Sequence, residues 1–597
     1  MTQPTTALTI STGAPPPPPA RPSGQRWPRI WGPRMWKLLA LIAGLFLYRI
    51  WVIEHAGISL FFDEAQYWDW SKHLAWGYFS KPPLIAGLIW LSTALFGSGV
   101  LGVKALVMLL YPLTALAMVG FARALWPTSS GVRTGMVAAA LFMTIPMVGL
   151  MGMFASTDAP LILCWTLASW ALWRAQVTNR MSNWVWLGVA CGVGLLGKYT
   201  MAAFALTAIW TLWGVHGPKR GVARLGPWVA VLIAVLLLSP NLLWNAHNGY
   251  PTLQHTAELT TQSSRSGGVL PTLVFLAGQV LMLGPIAVFA GVWLYRRQQA
   301  AQASSASVPS SQWAASSQMM PPSQWKNSTQ FNPASQPGQA AAAVPRPVVR
   351  TSAYYLASVS SYRFLWAMSL PLQLIAVVQA LYADAHVNWA APSMVGFALL
   401  IATRLSAPLV PLAAPRPARW LTIVLVGNLL MTSAVLHLRD IVGPTLPSKL
   451  DVLVRMRGWQ EAFDALAPEL QDPIVTGLPV LTDSRLLITQ AAYHWRRYNV
   501  NTLAWNPKGQ RQSHYEMTRS LPNKVGPDVL LLTSNPNPTD ITQRFAIVRA
   551  LKSTKVAVGP DRDVEIHLFF LRGFLGYNQA TYLEQSGADK PTSPDDQ

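Results

Sequence analysis

The sequence predicts a polytopic α-helical membrane protein of about eleven or more transmembrane helices, with a C-terminal extracytoplasmic α/β domain. Three observations lead there. Of 597 residues, 51% are hydrophobic and only 12% charged, with 27 Trp; this fits neither an average soluble domain nor a disordered chain. Apolar runs long enough to cross a bilayer recur between residues 36 and 438. After residue 440 the character changes: turn residues return, and short strand-like and helix-like segments alternate.

The elements follow in order. Residues 1–34 are polar and proline-rich ("APPPPPARP"), with Arg21, Arg26, Arg29 and Arg34 before the first apolar run. This predicts a disordered cytoplasmic tail and an uncleaved signal anchor. Candidate spans are 36–53, 101–122, 134–153, 158–175, 184–198, 200–215, 228–245, 270–295, 361–382, 390–406 and 419–438. They form an N-terminal transmembrane catalytic block over 35–296, with a first external loop at 54–100, and C-terminal transmembrane helices over 351–439. Residues 297–350, rich in Gln, Ser, Ala and Pro with "SQW" recurring, read as a flexible cytoplasmic linker, because they cannot bury enough apolar surface to fold. In the α/β domain at 440–580, "PIVTGLPVLTD", "PDVLLLTSN" and "DVEIHLFFL" read as strands. "SRLLITQAAYHWRR" and "TDITQRFAIVRAL" read as helices, the second capped by Asp540. Residues 581–597 read as a disordered tail.

Charge sets the orientation. A net charge of +21 would suggest nucleic acid in a soluble chain. Here the basic residues fall mostly between apolar runs, so no nucleic-acid partner is expected. With the N-terminus cytoplasmic, Arg123 and Arg133, Arg174 and Arg180, Lys219, Arg220 and Arg224, Arg296 and Arg297, and Arg404, Arg416 and Arg419 all face the cytoplasm. Asp63, Glu64, Asp158, Glu258 and Asp384 then face outward. One assignment satisfies every loop. It predicts a multi-pass protein of the cell inner (cytoplasmic) membrane with its C-terminal domain periplasmic or extracellular. Cys164 and Cys191 lie inside apolar runs, so no disulfide framework is expected.

The outward face carries the chemistry. A charge in or near lipid costs several kcal/mol unless it is paired or watered, so it marks a site by default. Asp63 and Glu64 follow the first span; Lys81 precedes Pro82–Pro83 and an amphipathic interfacial stretch; Asp158 opens the fourth span in "FASTDAP"; Lys198 sits in "LLGKYT". His247 and His255 close the seventh span, Arg265 follows, and "DAHVNWAAP" brings Asp384, His386 and Asn388. Each has a plainer reading. Asp63–Glu64 and Asp158 could cap helices, Lys81 and Lys198 could snorkel to the interface, and the histidines could be ordinary loop residues. Together the pattern is sharper. Acids suit a general base or a metal site, lysines suit a phosphate, and a phosphate beside aromatics at an interface suggests a lipid phosphate.

The stretches "DEAQYWDWSKHLAWGYFSKPPLIAGLI", "STDAPLILCWTLASWALWRA", "GLLGKYT", "PNLLWNAHNGYPT", "GQVLMLGP" and "HVNWAAPS" resemble successive motifs of the dolichyl-phosphate-mannose–protein mannosyltransferase-like superfamily. These are GT-C membrane glycosyltransferases and include the aminoarabinose lipid A transferases. The resemblance runs from about residue 40 to 400, and weakly into "SRLLITQAAYHWRRYNVNTLAW". It implies a polyprenyl-phosphate sugar donor and an acceptor hydroxyl on the external face, belonging to a lipid, glycan or protein. It implies that Asp63 matches the first-loop acid, Asp158 a second acid, Lys81 a donor-phosphate lysine and Lys198 a further lysine motif. The low-complexity insert departs from the family, as does the absence of an Arg directly after Asp63–Glu64.

The expected enzyme is therefore a glycosyltransferase. Its catalytic candidates are Asp63, Glu64 and Asp158, with Asp63 the base and Glu64 behind it. Lys81, Lys198 and Arg265 would hold the donor phosphate, and Tyr67, Tyr78 and His255 are candidate substrate contacts. Metal dependence stays open: the acids could hold a divalent cation, but no strong ligand spacing appears. The competing class is a transporter or flippase of lipid-linked sugars, which should show inverted repeats; no such symmetry is visible.

Overall fold

The computed structural model describes residues 32–216, 224–261, 267–306, 352–383, 385–406 and 417–577. Residues 1–31 of the expected N-terminal tail, the expected C-terminal tail, most of the insert, Arg265 and Asp384 lie outside these residues, while Pro33 and Arg34 open the first helix. Of the expected linker, 297–306 continue a helix.

The helices of the apolar block are α1 (Pro33–His55), α2 (Phe62–Lys72), α3 (Leu84–Phe96), α4 (Val100–Leu125), α5 (Ser129–Thr144), α6 (Pro146–Met151), α7 (Asp158–Thr178), α8 (Met181–Gly197), α9 (Phe204–His216), α10 (Leu225–His247), α11 (Pro251–Thr261), α12 (Val269–Leu283), α13 (Pro285–Ala306), α14 (Ser352–Tyr382), α15 (Ser393–Ser406) and α16 (Pro417–Leu436). Among the described residues, five are long and apolar enough to cross a membrane, or six if one bent pair forms a single span. That pair is α12 and α13, bent by 85°, where the sequence predicts one span over 270–295. Gly284 ends α12 with φ 91°, a left-handed backbone that favours glycine, and Pro285 starts the next helix. Likewise the expected span 134–153 breaks at Ile145–Pro146, since a proline cannot continue the preceding hydrogen-bond ladder. The expected amphipathic stretch after Lys81 is α3, which buries Ile85, Ala86, Ile89 and Ser92 and exposes Trp90, Leu91, Leu95 and Phe96.

Beyond the short α17 (Leu438–Val442) and α18 (Trp459–Leu466) comes a mixed α/β unit. Its strands are β1 (Val480–Thr482), β2 (Thr502–Ala504), β3 (Val529–Thr533), β4 (Phe545–Gly559) and β5 (Arg562–Phe574), ordered β2-β1-β3-β5-β4. β1 pairs in parallel with β2 and β3, and β5 runs antiparallel to β3 and β4. β3 is apolar from Val529 to Leu532 because both faces are covered: Leu530 and Leu532 enter one core cluster, Val529 and Leu531 another. Helix α19 (Arg485–His494) starts at Ser484, whose hydroxyl accepts from the Leu487 amide. Helix α20 (His514–Thr518) and the four-residue α21 (Thr539–Thr542) complete the unit. The sequence reading of 539–551 as one helix is corrected here. The helix stops at Thr542, and Phe545 begins β4, a hairpin partner of β5 across Pro560–Asp561. Cross-strand pairing outweighs the local helical pattern.

Two sets of contacts fix the first loop. Below it, Glu64 is 2% exposed and its carboxylate is saturated. It accepts from Lys104 Nζ of α4 at 2.6 Å, from the Ala155 amide at 2.6 Å and from its own Phe61 amide at 2.9 Å. Above it, the α/β unit clamps the loop. Gln490 donates to the Leu60 carbonyl at 3.1 Å, Arg519 pairs with Asp69 at 3.1 Å, and Arg457 donates to the Ala56 carbonyl at 2.7 Å. The His494 ring sits between Ser59 Oγ (2.9 Å) and Gln460 Oε1 (3.1 Å).

Lys104→Met strands the Glu64 carboxylate, and breaking such a buried pair costs about 3–5 kcal/mol. A lowered thermal midpoint in detergent is the expected result, partly restored by adding Glu64→Gln. Acid should also weaken the clamp. Burial, with help from Arg496, pushes His494 down to about 3. Below about pH 6.5 the unfolded chain therefore takes up a proton that the folded chain refuses. Stability falls with pH by up to about 1.4 kcal/mol per unit until pH nears the folded value. Thermal midpoints between pH 7 and pH 5 check this, and His494→Gln should flatten the slope.

Candidate functional site

α2 begins where Phe61 is held extended and Glu64 reaches back to the Phe61 amide, so two acids meet the helix N-terminus, where negative charge is favoured. Neighbouring helical residues point about 100° apart. Glu64 turns inward to Lys104, and Asp63 turns outward, its side chain 39% exposed. The helix-capping reading thus holds for Glu64, which stands behind the site and supports it. Among the described residues Asp63 pairs with Arg485, whose Nη2 donates to its Oδ1 at 3.1 Å. The Arg485 guanidinium lies 4.8 Å from the Phe62 ring centre, a cation–π contact that limits its swing.

Asp158 is the first residue of α7 and is 3% exposed. Lys198 Nζ donates to its Oδ1 at 2.7 Å, and Asn388 Nδ2 donates to its Oδ2 at 2.8 Å. Lys198 caps the C-terminal end of α8 with extended backbone, which directs it back toward α7. Asn388 comes from a short helical turn, Val387–Ala390. One acid, one cation and one amide from three distant segments are thereby joined.

Lys81 is half-buried in the turn before α3, where the Tyr78 amide donates to its carbonyl at 3.1 Å. Its ammonium has no ion pair among the described residues. Burial lowers its pKa first and Lys198 lowers it further, while Asp63 and Asp158 act in the opposite sense. The same groups therefore surround it. His255 of α11 joins this neighbourhood: burial, Lys81 and Arg485 push it down to about 4, and its ring lies 5.3 Å from Phe79. It is a neutral ring at ordinary pH. Tyr67 of α2 is 5% exposed, and burial, followed by Asp63, raises its phenol well above the usual range. It stays a protonated hydroxyl near both acids.

The structure thus brings together Asp63, Asp158, Lys81, Lys198, His255 and Tyr67. It sets Tyr78 apart from them. That ring is 1% exposed and stacked on Trp70 at 4.5 Å, and its hydroxyl is engaged by the Ala75 amide and the Trp70 and His73 carbonyls. Tyr78 shapes the loop, and a substrate has no access to it. Arg265 lies outside the described residues, and among those residues no group of three His, Cys, Asp or Glu side chains gathers as a metal site. Two residues were not singled out by sequence reasoning. Lys104 carried a signal, a charge one turn inside an apolar run. Arg485 carried none, since its partner is 422 residues away.

The chain is similar to known proteins. Residues 80–244 match the family model described as dolichyl-phosphate-mannose-protein mannosyltransferase. The lipid A galacturonosyltransferase RgtD of Rhizobium johnstonii is 28% identical over 83% of this chain and 90% of its own. An undecaprenyl phosphate-alpha-4-amino-4-deoxy-L-arabinose arabinosyl transferase of Pseudomonas savastanoi is 30% identical over 34% of this chain and 39% of its own. Among solved structures, ArnT from Cupriavidus metallidurans in the apo state aligns with a TM-score of 0.55 at 12% identity, covering 90% of this chain and 97% of that one. The same protein bound to undecaprenyl phosphate aligns with a TM-score of 0.52 at 14% identity, covering 90% and 98%. At those identities the structural likeness speaks for the fold, and the sequence likeness and family match add the enzyme class. The chain is thus similar, in sequence and in fold, to GT-C membrane glycosyltransferases of the aminoarabinose-transferase kind.

Proposed function

We propose that the protein transfers a sugar from a polyprenyl-phosphate donor to an acceptor hydroxyl on the external face of a cell inner membrane. One observation carries this reading. Lys81 is half-buried, lacks an ion-pair partner among the described residues and feels Lys198, Asp63, Asp158 and Arg485 together. A desolvated, unpaired ammonium beside a second lysine suits an anion, and beside a half-exposed carboxylate it suits a phosphate leaving group. The names of the similar proteins, with undecaprenyl phosphate sugars and lipid A in them, support a polyprenyl-phosphate donor and favour a lipid among the acceptors. The transporter reading offers no use for a carboxylate held by Arg485.

In this proposal the acceptor hydroxyl approaches Asp63, which takes its proton. Arg485 holds the carboxylate in place. The oxygen attacks the anomeric carbon from the side opposite the phosphate, through an oxocarbenium-like transition state as in other glycosyl transfers. The C–O bond to the phosphate breaks, and Lys81 and Lys198 take up the charge growing on the departing oxygen. Asp158 and Asn388 position the Lys198 ammonium. Tyr67 and His255 offer neutral polar groups to the sugar. The polyprenyl tail stays in lipid, beside the exposed apolar side of α3.

The topology proposed with this function keeps the charge-derived orientation: about eleven spans, N-terminus cytoplasmic, first loop and α/β unit outside. The proposed domain bounds remain 35–296, 351–439 and 440–580, with 297–350 as a linker whose first ten residues extend α13.

Asp63→Asn should lower transfer by about 10²–10⁴-fold, the usual worth of a general base, and a matching polyprenyl-phosphate sugar should build up in cell lipids by mass spectrometry. Normal turnover with correct insertion would remove Asp63 as the base. Lys81→Ala should lower kcat/KM for the donor by about 10²-fold and leave the acceptor KM unchanged; steady-state kinetics with each substrate varied checks it.

A further inference from the structure

The stretch "GQVLMLGP" is one of those that carry the family resemblance, yet no step of the proposed transfer uses it. It forms the last turns of α12 and the bend that follows. α12 buries Thr272, Phe275, Gln279 and Leu283, which are three and four apart and share one face. Gln279 therefore stands in an apolar stripe, at a place an apolar residue would fill, and is 7% exposed. An amide buried inside an apolar helix is costly unless its donor and acceptor are both met.

Its partners form a line toward the reacting groups. Gln279 Nε2 donates to the Val387 carbonyl at 2.8 Å, and Gln373 Nε2 of α14 donates to Gln279 Oε1 at 3.0 Å. The second bond fixes which end of the Gln279 amide faces the turn. Gly278 lets α12 come this close: a Cβ there would stand 2.6 Å from Val387 Cγ1. The Val387 carbonyl belongs to the peptide unit that leads into Asn388. Asn388 Nδ2 donates to Asp158 Oδ2 at 2.8 Å, and Lys198 Nζ donates to Asp158 Oδ1 at 2.7 Å. The turn that carries Asn388, Val387–Ala390, is a single short 3₁₀ segment, too short to hold its own place. Phe275 and Ala376 pack on its apolar side, and Gln279 is its polar grip. Packing alone would hold the turn with an apolar residue at 279. It would not fix the rotation of the Val387 peptide plane, and that rotation aims Asn388.

We propose that Gln279 is a positioning residue for the transfer: through the Val387 peptide, Asn388 and Asp158 it sets where the Lys198 ammonium stands. The inference rests on the transfer reading above and adds to it a residue that touches no substrate. Lys198 takes up charge from the leaving phosphate only when it stands at the departing oxygen, and a misplacement of about 1 Å costs up to about 10²-fold in rate. Gln373 holds Gln279 as Gln279 holds the turn, so α12 and α14 together carry the aim of one ammonium.

The test measures undecaprenyl phosphate binding to the full chain in nanodiscs, in a cycle of four: native, Gln279→Leu, Lys198→Gln and both together. Gln279→Leu should weaken binding by about tenfold, the usual worth of one hydrogen bond to a charged group. Added to Lys198→Gln it should cost nothing further, because its effect passes through that ammonium. A glutamine that only holds helices together would weaken both backgrounds equally, and that result overturns the proposal. In transfer assays Gln279→Leu should lower kcat by about tenfold or more and leave the acceptor KM unchanged. If Gln279→Leu does not insert, Gly278→Ala takes its place. Its added Cβ should displace Val387 and weaken binding, and Val387→Ala in the same chain should restore it; no weakening, or no restoration, overturns the proposal. If the binding cycle holds and the native chain transfers no sugar, the transfer reading fails and the positioning role stands. If the native chain does not bind undecaprenyl phosphate, both fail.

Discussion

The buried Glu64 carboxylate is the constraint on which the site depends. An uncompensated charge at 2% exposure is strongly destabilising, so each of its three partners must be where it is. Lys104 ties α2 to α4, the Ala155 amide ties it to the chain entering α7, and the Phe61 amide closes the first turn. Asp63 is the next residue back along α2, and Asp158 lies three residues beyond Ala155. One saturated carboxylate thereby positions both acids of the candidate site, though it meets no substrate itself. The adjacent pair "DE" divides its labour because consecutive helical side chains diverge by about 100°.

The α/β unit completes the site from above. Arg485 reaches Asp63 from the first turn of α19, and the same helix sends Gln490 to Leu60 and His494 to Ser59. Orienting a carboxylate is worth more when its holder is itself fixed, and the Phe62 ring supplies that for Arg485. The unit therefore holds the candidate site in place through three contacts from one helix. This placement also gives the amphipathic first loop its sense. Its apolar edge is the exposed side of α3, and its polar edge meets a domain carrying Arg485 and Arg519.

The solved ArnT structures share this fold at 12% and 14% identity. Most of the chain has therefore diverged while the arrangement persists. A shared fold does not decide the chemistry; the local constellation does. Here that constellation is an ammonium without an ion pair among the described residues, in the neighbourhood of a carboxylate held by a guanidinium. It is suited to a substrate that is anionic at its leaving group and nucleophilic at its hydroxyl.

The membrane class, the apolar helices, the acids and lysines at helix ends, and the strand at 563–571 were all legible in the sequence. Each depends on local composition or period: about 20 apolar residues to cross a bilayer, or an alternation to pack a sheet. Asp63, Asp158, Lys81 and Lys198 stood out because charge near lipid is costly wherever the chain later travels. What required the tertiary structure is what depends on distant partners. Local pattern made 539–551 a helix, but pairing with β5 made most of it a strand. Tyr78 resembled a binding residue until its ring was found stacked on Trp70. As sequence, the adjacent acids Asp63 and Glu64 carry the same signal; only the fold brings Lys104 beneath Glu64, which is buried, and Arg485 beside Asp63, which stays partly exposed. Sequence determines which groups are expensive to place near lipid, and the fold decides which of them are neutralised by a neighbour and which are left free to meet a substrate.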